Sequence, residues 1–208
     1  MAKITEFILT TFLGRLLLFA IIASLVFLAS NKAEAKTFVI GDSIAVGIAN
    51  ANGLDKAGNN RWRKGGKDTA VIVRYVDYFI STGQANGAVV ILSSGASNST
   101  YERPDGEGRN LDTRLIHQQI GKLKAAGALV FLVGTGSHQS PWLHNRYGTY
   151  RVNFAKQNVN ARLAQIAKKE DIVFLGPLEN YGRLADGIHP GGRSAQLIYE
   201  RVLQDLNP

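Results

Sequence analysis

Apolar residues along the chain come in two rhythms. Four short runs are apolar almost without a break: Phe38–Ile40, Ala88–Leu92, Ala128–Val133 and Ile172–Leu175. Runs of that kind predict strands buried on both faces, as in a parallel sheet. Between them lie longer stretches whose apolar residues recur every three or four positions. Thr69–Ser81 carries Ile72, Val76, Phe79 and Ile80, and Leu111–Ala126 carries Leu111, Leu115, Ile116, Ile120 and Leu123. Tyr150–Lys168 carries Phe154, Val159, Leu163 and Ile166, and Arg193–Leu206 carries Leu197, Ile198, Val202 and Leu206. Such one-sided stripes predict amphipathic helices. The small and apolar residues after Ser43 predict one more. Gly127 stands between a helical run and a strand, where a helix C-cap is expected. Strand and helix alternate from Phe38 to the last helix, so the fold class is α/β, a three-layer α/β/α sandwich around a mainly parallel sheet. Two stretches, Ala51–Asp68 and Thr135–Thr149, are polar and irregular. In such sheets they fall at the carboxyl ends of strands, where ligands bind.

The first 35 residues break this pattern. Lys3 and Arg15 precede an apolar run, Leu16–Ala29, and Ala33-Glu34-Ala35 follows as a small-x-small site. That order predicts a signal peptide over residues 1–35, cut after Ala35. An uncleaved anchor over residues 7–29 is the alternative, since adding Phe7–Phe12 lengthens the apolar stretch towards the roughly 20 residues of a spanning helix. Both place the domain, residues 36–208, outside the cytoplasm, in the periplasm or beyond. Cysteine is absent, so an exported domain must be held by its core alone.

Charge adds a bias. The chain has 24 Lys and Arg against 16 Asp and Glu; without Lys3, Arg15, Lys32, Glu6 and Glu34 the balance is 21 against 14. A positive domain suits an anionic partner such as a cell-wall polymer, or serves solubility alone. No basic helix or nucleic-acid motif is present, so nucleic acid is not an expected partner. If the leader is cleaved, no stable membrane contact is expected either.

Candidate chemistry sits where strands meet helices. Ser43 ends the first strand in Gly41-Asp42-Ser43, and it fits two roles there, helix N-cap or nucleophile. A serine nucleophile needs a base. Of the four histidines, His117 falls in a helical stripe, and His138 and His144 fall in a polar loop. His189 follows Asp186 by three residues, a spacing at which the carboxylate can hold the imidazole tautomer. An oxyanion formed on a carbonyl needs preorganised donors. The Ser43 N–H, a glycine N–H from Gly65 or Gly66, and the Asn98 amide are candidates, although those glycines and Asn98 also read as ordinary turn residues. No cluster of metal-ligand spacing appears, and Gly134-Thr135-Gly136-Ser137 lacks the lysine of a phosphate loop, so no metal or cofactor is expected.

GDSIAVG, the glycine pair, Asn98 and the terminal DGIHP together resemble the SGNH (GDSL-type) hydrolases, over nearly all of the chain from Phe38 onward. Ile44 stands in place of the family's leucine. The family's usual Gly-x-Asn-Asp block is altered, with Asn98 three residues after Gly95 and followed by Ser99. The resemblance implies a flavodoxin-like sheet, a Ser43–His189–Asp186 triad, and an oxyanion hole from Ser43, Gly66 and Asn98. It also implies a serine esterase working through an acyl-enzyme. The expected substrate is a short ester, an O-acetyl group on envelope or extracellular carbohydrate, with Trp62, Trp142, Arg146 and Tyr147 as an aromatic and basic rim. A lipid-ester or thioester hydrolase is the alternative within the family. A non-catalytic envelope protein that binds carbohydrate and keeps the fold is the alternative outside catalysis.

Overall fold

A computed structural model describes residues 36–54, 68–95, 101–102, 111–136, 151–152, 158–186 and 188–207. The chain order runs β1 Thr37–Gly41, α1 Ser43–Ala51, α2 Thr69–Ser81, β2 Val89–Ser93, β3 Tyr101–Glu102, α3 Thr113–Ala125, β4 Leu129–Val133, β5 Arg151–Val152, α4 Val159–Glu170, β6 Val173–Leu175, a short 3₁₀ turn Leu178–Tyr181, and α5 Gly192–Leu206.

Four strands pair in the order β1-β2-β4-β6, all parallel. The register is level: Ile40, Leu92, Leu132 and Phe174 form one row, and Gly41, Ser93, Val133 and Leu175 the next. The carboxyl ends of all four strands therefore finish along one edge. Side chains alternate between two cores, as strand geometry requires. Phe38, Ile40, Val90, Leu92, Val130 and Leu132 pack with α2, α3 and α4. Val39, Ile91, Phe131, Val133 and Leu175 pack with α1 and α5. These are the expected three layers. Phe38 and Phe79 meet in the first core with ring centroids 4.9 Å apart and tilted, a favoured aromatic geometry.

Aspartates start three of the helices. Asp42, Asp68 and Asp112 each accept a backbone N–H of the first turn, from Ile44, Val71 and Leu115. Lys122 and Lys124 end α3, and Lys168 and Lys169 end α4, on the side that suits the helix dipole. Gly127 follows the C-cap of α3 with φ +86°, the left-handed conformation expected at that position.

One predicted element differs. The helix expected over Tyr150–Lys168 begins only at Val159 and runs to Glu170. Arg151–Val152 is a strand instead, antiparallel to Tyr101–Glu102. Tyr150 and Phe154 lie outside the described residues. The short ladder ties the segment after β2 to the segment after β4, both of which leave the carboxyl edge of the sheet.

Candidate active site

The turn from β1 into α1 is built from three residues with separate tasks. Gly41 has φ +146°, and a Cβ there would stand 2.0 Å from the Ser93 carbonyl oxygen. Only glycine lets the two strand ends come that close. Asp42 is the N-cap of α1, with Oδ1 accepting the Ile44 N–H at 3.0 Å. Ser43 is thus not the cap; it is the first helical residue. As the first helical residue, Ser43 has an N–H that stays outside the helix's own hydrogen-bond ladder.

The second part of the site is the turn before α5. Leu184 and Pro190 form an antiparallel bridge, and the Ala185 N–H donates to the His189 carbonyl at 2.8 Å. Asp186 closes the turn from inside: its Oδ1 accepts the N–H groups of Ile188 at 3.0 Å and His189 at 2.8 Å. Ile188 is buried and anchors the turn to the domain. Ser194, at the start of α5, donates its hydroxyl to the Arg183 carbonyl at 2.9 Å and holds the chain entering the turn. Pro190 rests against Gly47, where an added Cβ would be 3.8 Å from the proline ring. Gly47 lies one helical turn beyond Ser43 on the same side of α1.

That packing sets His189 over Ser43. The His189 Nε2 and the Ser43 Oγ are 2.8 Å apart. The His189 Nδ1 and the Asp186 Oδ2 are 2.7 Å apart. An ionised carboxylate can only accept, so Nδ1 carries the proton and donates to Asp186. Nε2 is then the acceptor for the Ser43 hydroxyl. Burial alone would raise the Asp186 pKa. The His189 N–H, the imidazole and the Ile188 N–H outweigh it and hold the carboxyl below the ordinary carboxylate range. Asp186 is therefore an anion at neutral pH, fit to orient the ring and to face an imidazolium.

No family model matches the sequence, and no curated protein does. Solved structures do match. A candidate SGNH hydrolase from Slackia heliotrinireducens superposes with a TM-score of 0.56 at 14% identity, covering 83% of this chain and 99% of that one. A catalytic mutant of an acetylxylan esterase from Geobacillus stearothermophilus gives 0.55 at 14% identity, with 84% and 95% covered. A carbohydrate acetylesterase from Sinorhizobium meliloti gives 0.54 at 12% identity, with 83% and 98% covered. The chain has the SGNH hydrolase fold.

Within that fold the three residues singled out by type and spacing, Ser43, Asp186 and His189, come together in one line of hydrogen bonds. The other site candidates, Gly65, Gly66, Asn98, Trp62, Trp142, Arg146 and Tyr147, lie outside the described residues, as do His138 and His144. So do residues 1–35, where the signal peptide is expected. His117, in its helical stripe, joins α3 to α4 through Glu170, with Nδ1 and Oε1 2.6 Å apart. Two residues of the site had no role assigned from sequence. Asp42 is fully buried, and its Oδ1 also accepts the Ser93 hydroxyl at 2.8 Å. The signal was present in part: an aspartate between a buried strand and an apolar helix, and a serine closing the neighbouring strand.

Proposed function

We propose that this chain is an exported serine esterase that removes short acyl groups, acetyl above all, from carbohydrate. The observation that carries the reading is the Ser43–His189–Asp186 line, with 2.8 Å and 2.7 Å contacts at the carboxyl edge of the sheet. Ser43 gives its proton to His189 Nε2 as its Oγ adds to the ester carbonyl. Asp186 faces the imidazolium that forms. The Ser43 N–H, outside the helical ladder, is one donor for the oxyanion, and Gly66 and Asn98 are proposed as the others. The imidazolium then protonates the departing alcohol, leaving an acyl group on Ser43. Water, deprotonated by the same His189 nitrogen, releases the acid and restores the serine. Structural neighbours named as an acetylxylan esterase and a carbohydrate acetylesterase support the acetyl and sugar parts of the reading. The positive charge balance supports a polymer that is itself anionic.

The test is mass spectrometry of the protein after brief exposure to an activated ester, with Ser43→Ala alongside. An acyl adduct on Ser43, and loss of turnover in the variant, is the expected result. Turnover by Ser43→Ala within a few-fold of wild type excludes the nucleophile, and a non-catalytic carbohydrate-binding role then takes its place. A series of nitrophenyl esters and acetate release from O-acetylated polysaccharide test the substrate. Preference for chains of eight carbons or more, with no acetate released, makes it a lipid-ester hydrolase.

A further inference from the structure

Asp42 costs more than a helix cap needs to cost. Its side chain is fully buried, Oδ1 serves the Ile44 N–H and the Ser93 hydroxyl, and Oδ2 has no hydrogen-bond partner among the described residues. Asparagine or serine caps a helix as well, without burying a charge. Burial pushes the Asp42 pKa up to about 6; the Ser93 hydroxyl, the Ile44 N–H, the charge on His189 and the Ala45 N–H all act to favour the anion. These are the groups that face it: its own helix supplies two N–H groups, β2 supplies Ser93, and the turn before α5 supplies His189. Of them only His189 is ionisable. It is also the group that becomes positive when Ser43 gives up its proton.

We infer that Asp42 is a positioning residue and the second carboxylate of the site. Through Ser93 it fastens the nucleophile turn to the end of β2, and its buried charge, one residue before Ser43, steadies the imidazolium that Ser43 contacts. Asp186 does this by direct contact with Nδ1. Asp42 does it across the Ser43 turn, in a setting where little water screens the field. The inference rests on the reading of Ser43 as nucleophile and His189 as base.

The experiment follows hydrolysis of nitrophenyl acetate by the full chain from pH 5 to 9, for wild type, Asp42→Asn and Ser93→Ala, with circular dichroism to verify folding. Asp42→Asn keeps the cap and removes the charge. Its expected effect is a fall in kcat of about tenfold at pH 8 with KM within about twofold. The acidic limb of kcat/KM should also move to lower pH, because the base loses a nearby anion that favours its protonation. Ser93→Ala keeps the carboxyl but withdraws a hydrogen bond that favours the anion. Its loss of kcat relative to wild type should therefore grow as pH falls from 8 to 6, and this variant carries the test if Asp42→Asn does not fold. A purely structural Asp42 would leave the acidic limb in place and make the Ser93→Ala loss independent of pH; either result overturns the inference. Ser43→Ala in parallel separates the two failures. If that variant stays active, the nucleophile reading is wrong; if it is inactive while the limb does not move, only the role of Asp42 is wrong.

Discussion

At Gly41 the backbone leaves no space for a side chain. A methyl group would press on the Ser93 carbonyl from 2.0 Å, and the φ of +146° is one that residues with a Cβ rarely adopt. Gly41→Ala should lower stability by about 3 kcal/mol or more, seen as a fall in the denaturation midpoint with urea. Asp42 next to it makes a prediction in pH. Its folded pKa, about 6, stands above the unfolded value near 4. The folded state thus holds the proton longer, and the associated stability is complete below about pH 4 and lost as pH rises through about 6. The difference is on the order of 2–3 kcal/mol. Asp42→Asn should match wild type near pH 4 and exceed it in stability by pH 7, measured by denaturation at each pH. Asp186 acts with the opposite sign: its pKa is held down, so its contribution is present above the unfolded value and lost as pH falls through the folded one. The sequence made Ser43, Asp186 and His189 legible because residue type and spacing coincide. Asp42 was not legible as more than part of a motif, because an aspartate before a helix is read as a cap, and burial cannot be seen from spacing.

Elements differ in how plainly their residues announce them, for a reason rooted in period. β1, β2, β4 and β6 were recognised within a residue or so at each end, because strands buried on both faces leave an unbroken apolar run. α2 matched its predicted span, Thr69–Ser81, where the stripe starts at an aspartate cap. β3 and β5 could not be read, since two residues show no alternation and their pairing is made by backbone. The expected start of α4 falls too early because helical spacing continues upstream of Asn158, which sits at φ +46° and marks the break. Asn160, in the first turn of α4, has a larger task than its helix. Its Oδ1 accepts the Thr135 N–H at 2.8 Å and its Nδ2 donates to the Thr135 carbonyl at 2.9 Å. This clamp holds the chain as it leaves β4 towards the polar loop. Asn160→Ala strands the N–H of a buried threonine, whose carbonyl keeps the Leu178 N–H at 3.2 Å, and should cost about 1–3 kcal/mol in urea denaturation. Asn160→Asp keeps the acceptor for the Thr135 N–H and should fall between that variant and wild type in the same urea denaturation.

For the whole molecule, charge and sheet polarity act together. Every described strand of the parallel sheet ends at the edge that holds Ser43 and the His189 turn; one polar loop joins the end of α1 to the start of α2, and the other follows β4 from that edge. Arg61, Arg63 and Lys64 lie in the first of these loops by sequence, and Arg146 in the second. The chain as a whole carries a net charge of +8. Attraction of an anionic polymer by such a molecule is long-ranged and screened over a Debye length of roughly 10 Å at 0.1 M salt and roughly 3 Å at 1 M. A small neutral ester feels none of it. Raising salt from about 0.05 M to about 0.5 M should therefore lower kcat/KM for an acidic O-acetylated polysaccharide several-fold, chiefly through KM. Over the same range kcat/KM for nitrophenyl acetate should stay level, because the serine, histidine and aspartate are in direct contact and are little screened. Equal salt dependence for both esters would place the effect in the chemistry itself. No salt dependence for either would mean that the positive charge serves solubility and that the polymer is held by other contacts.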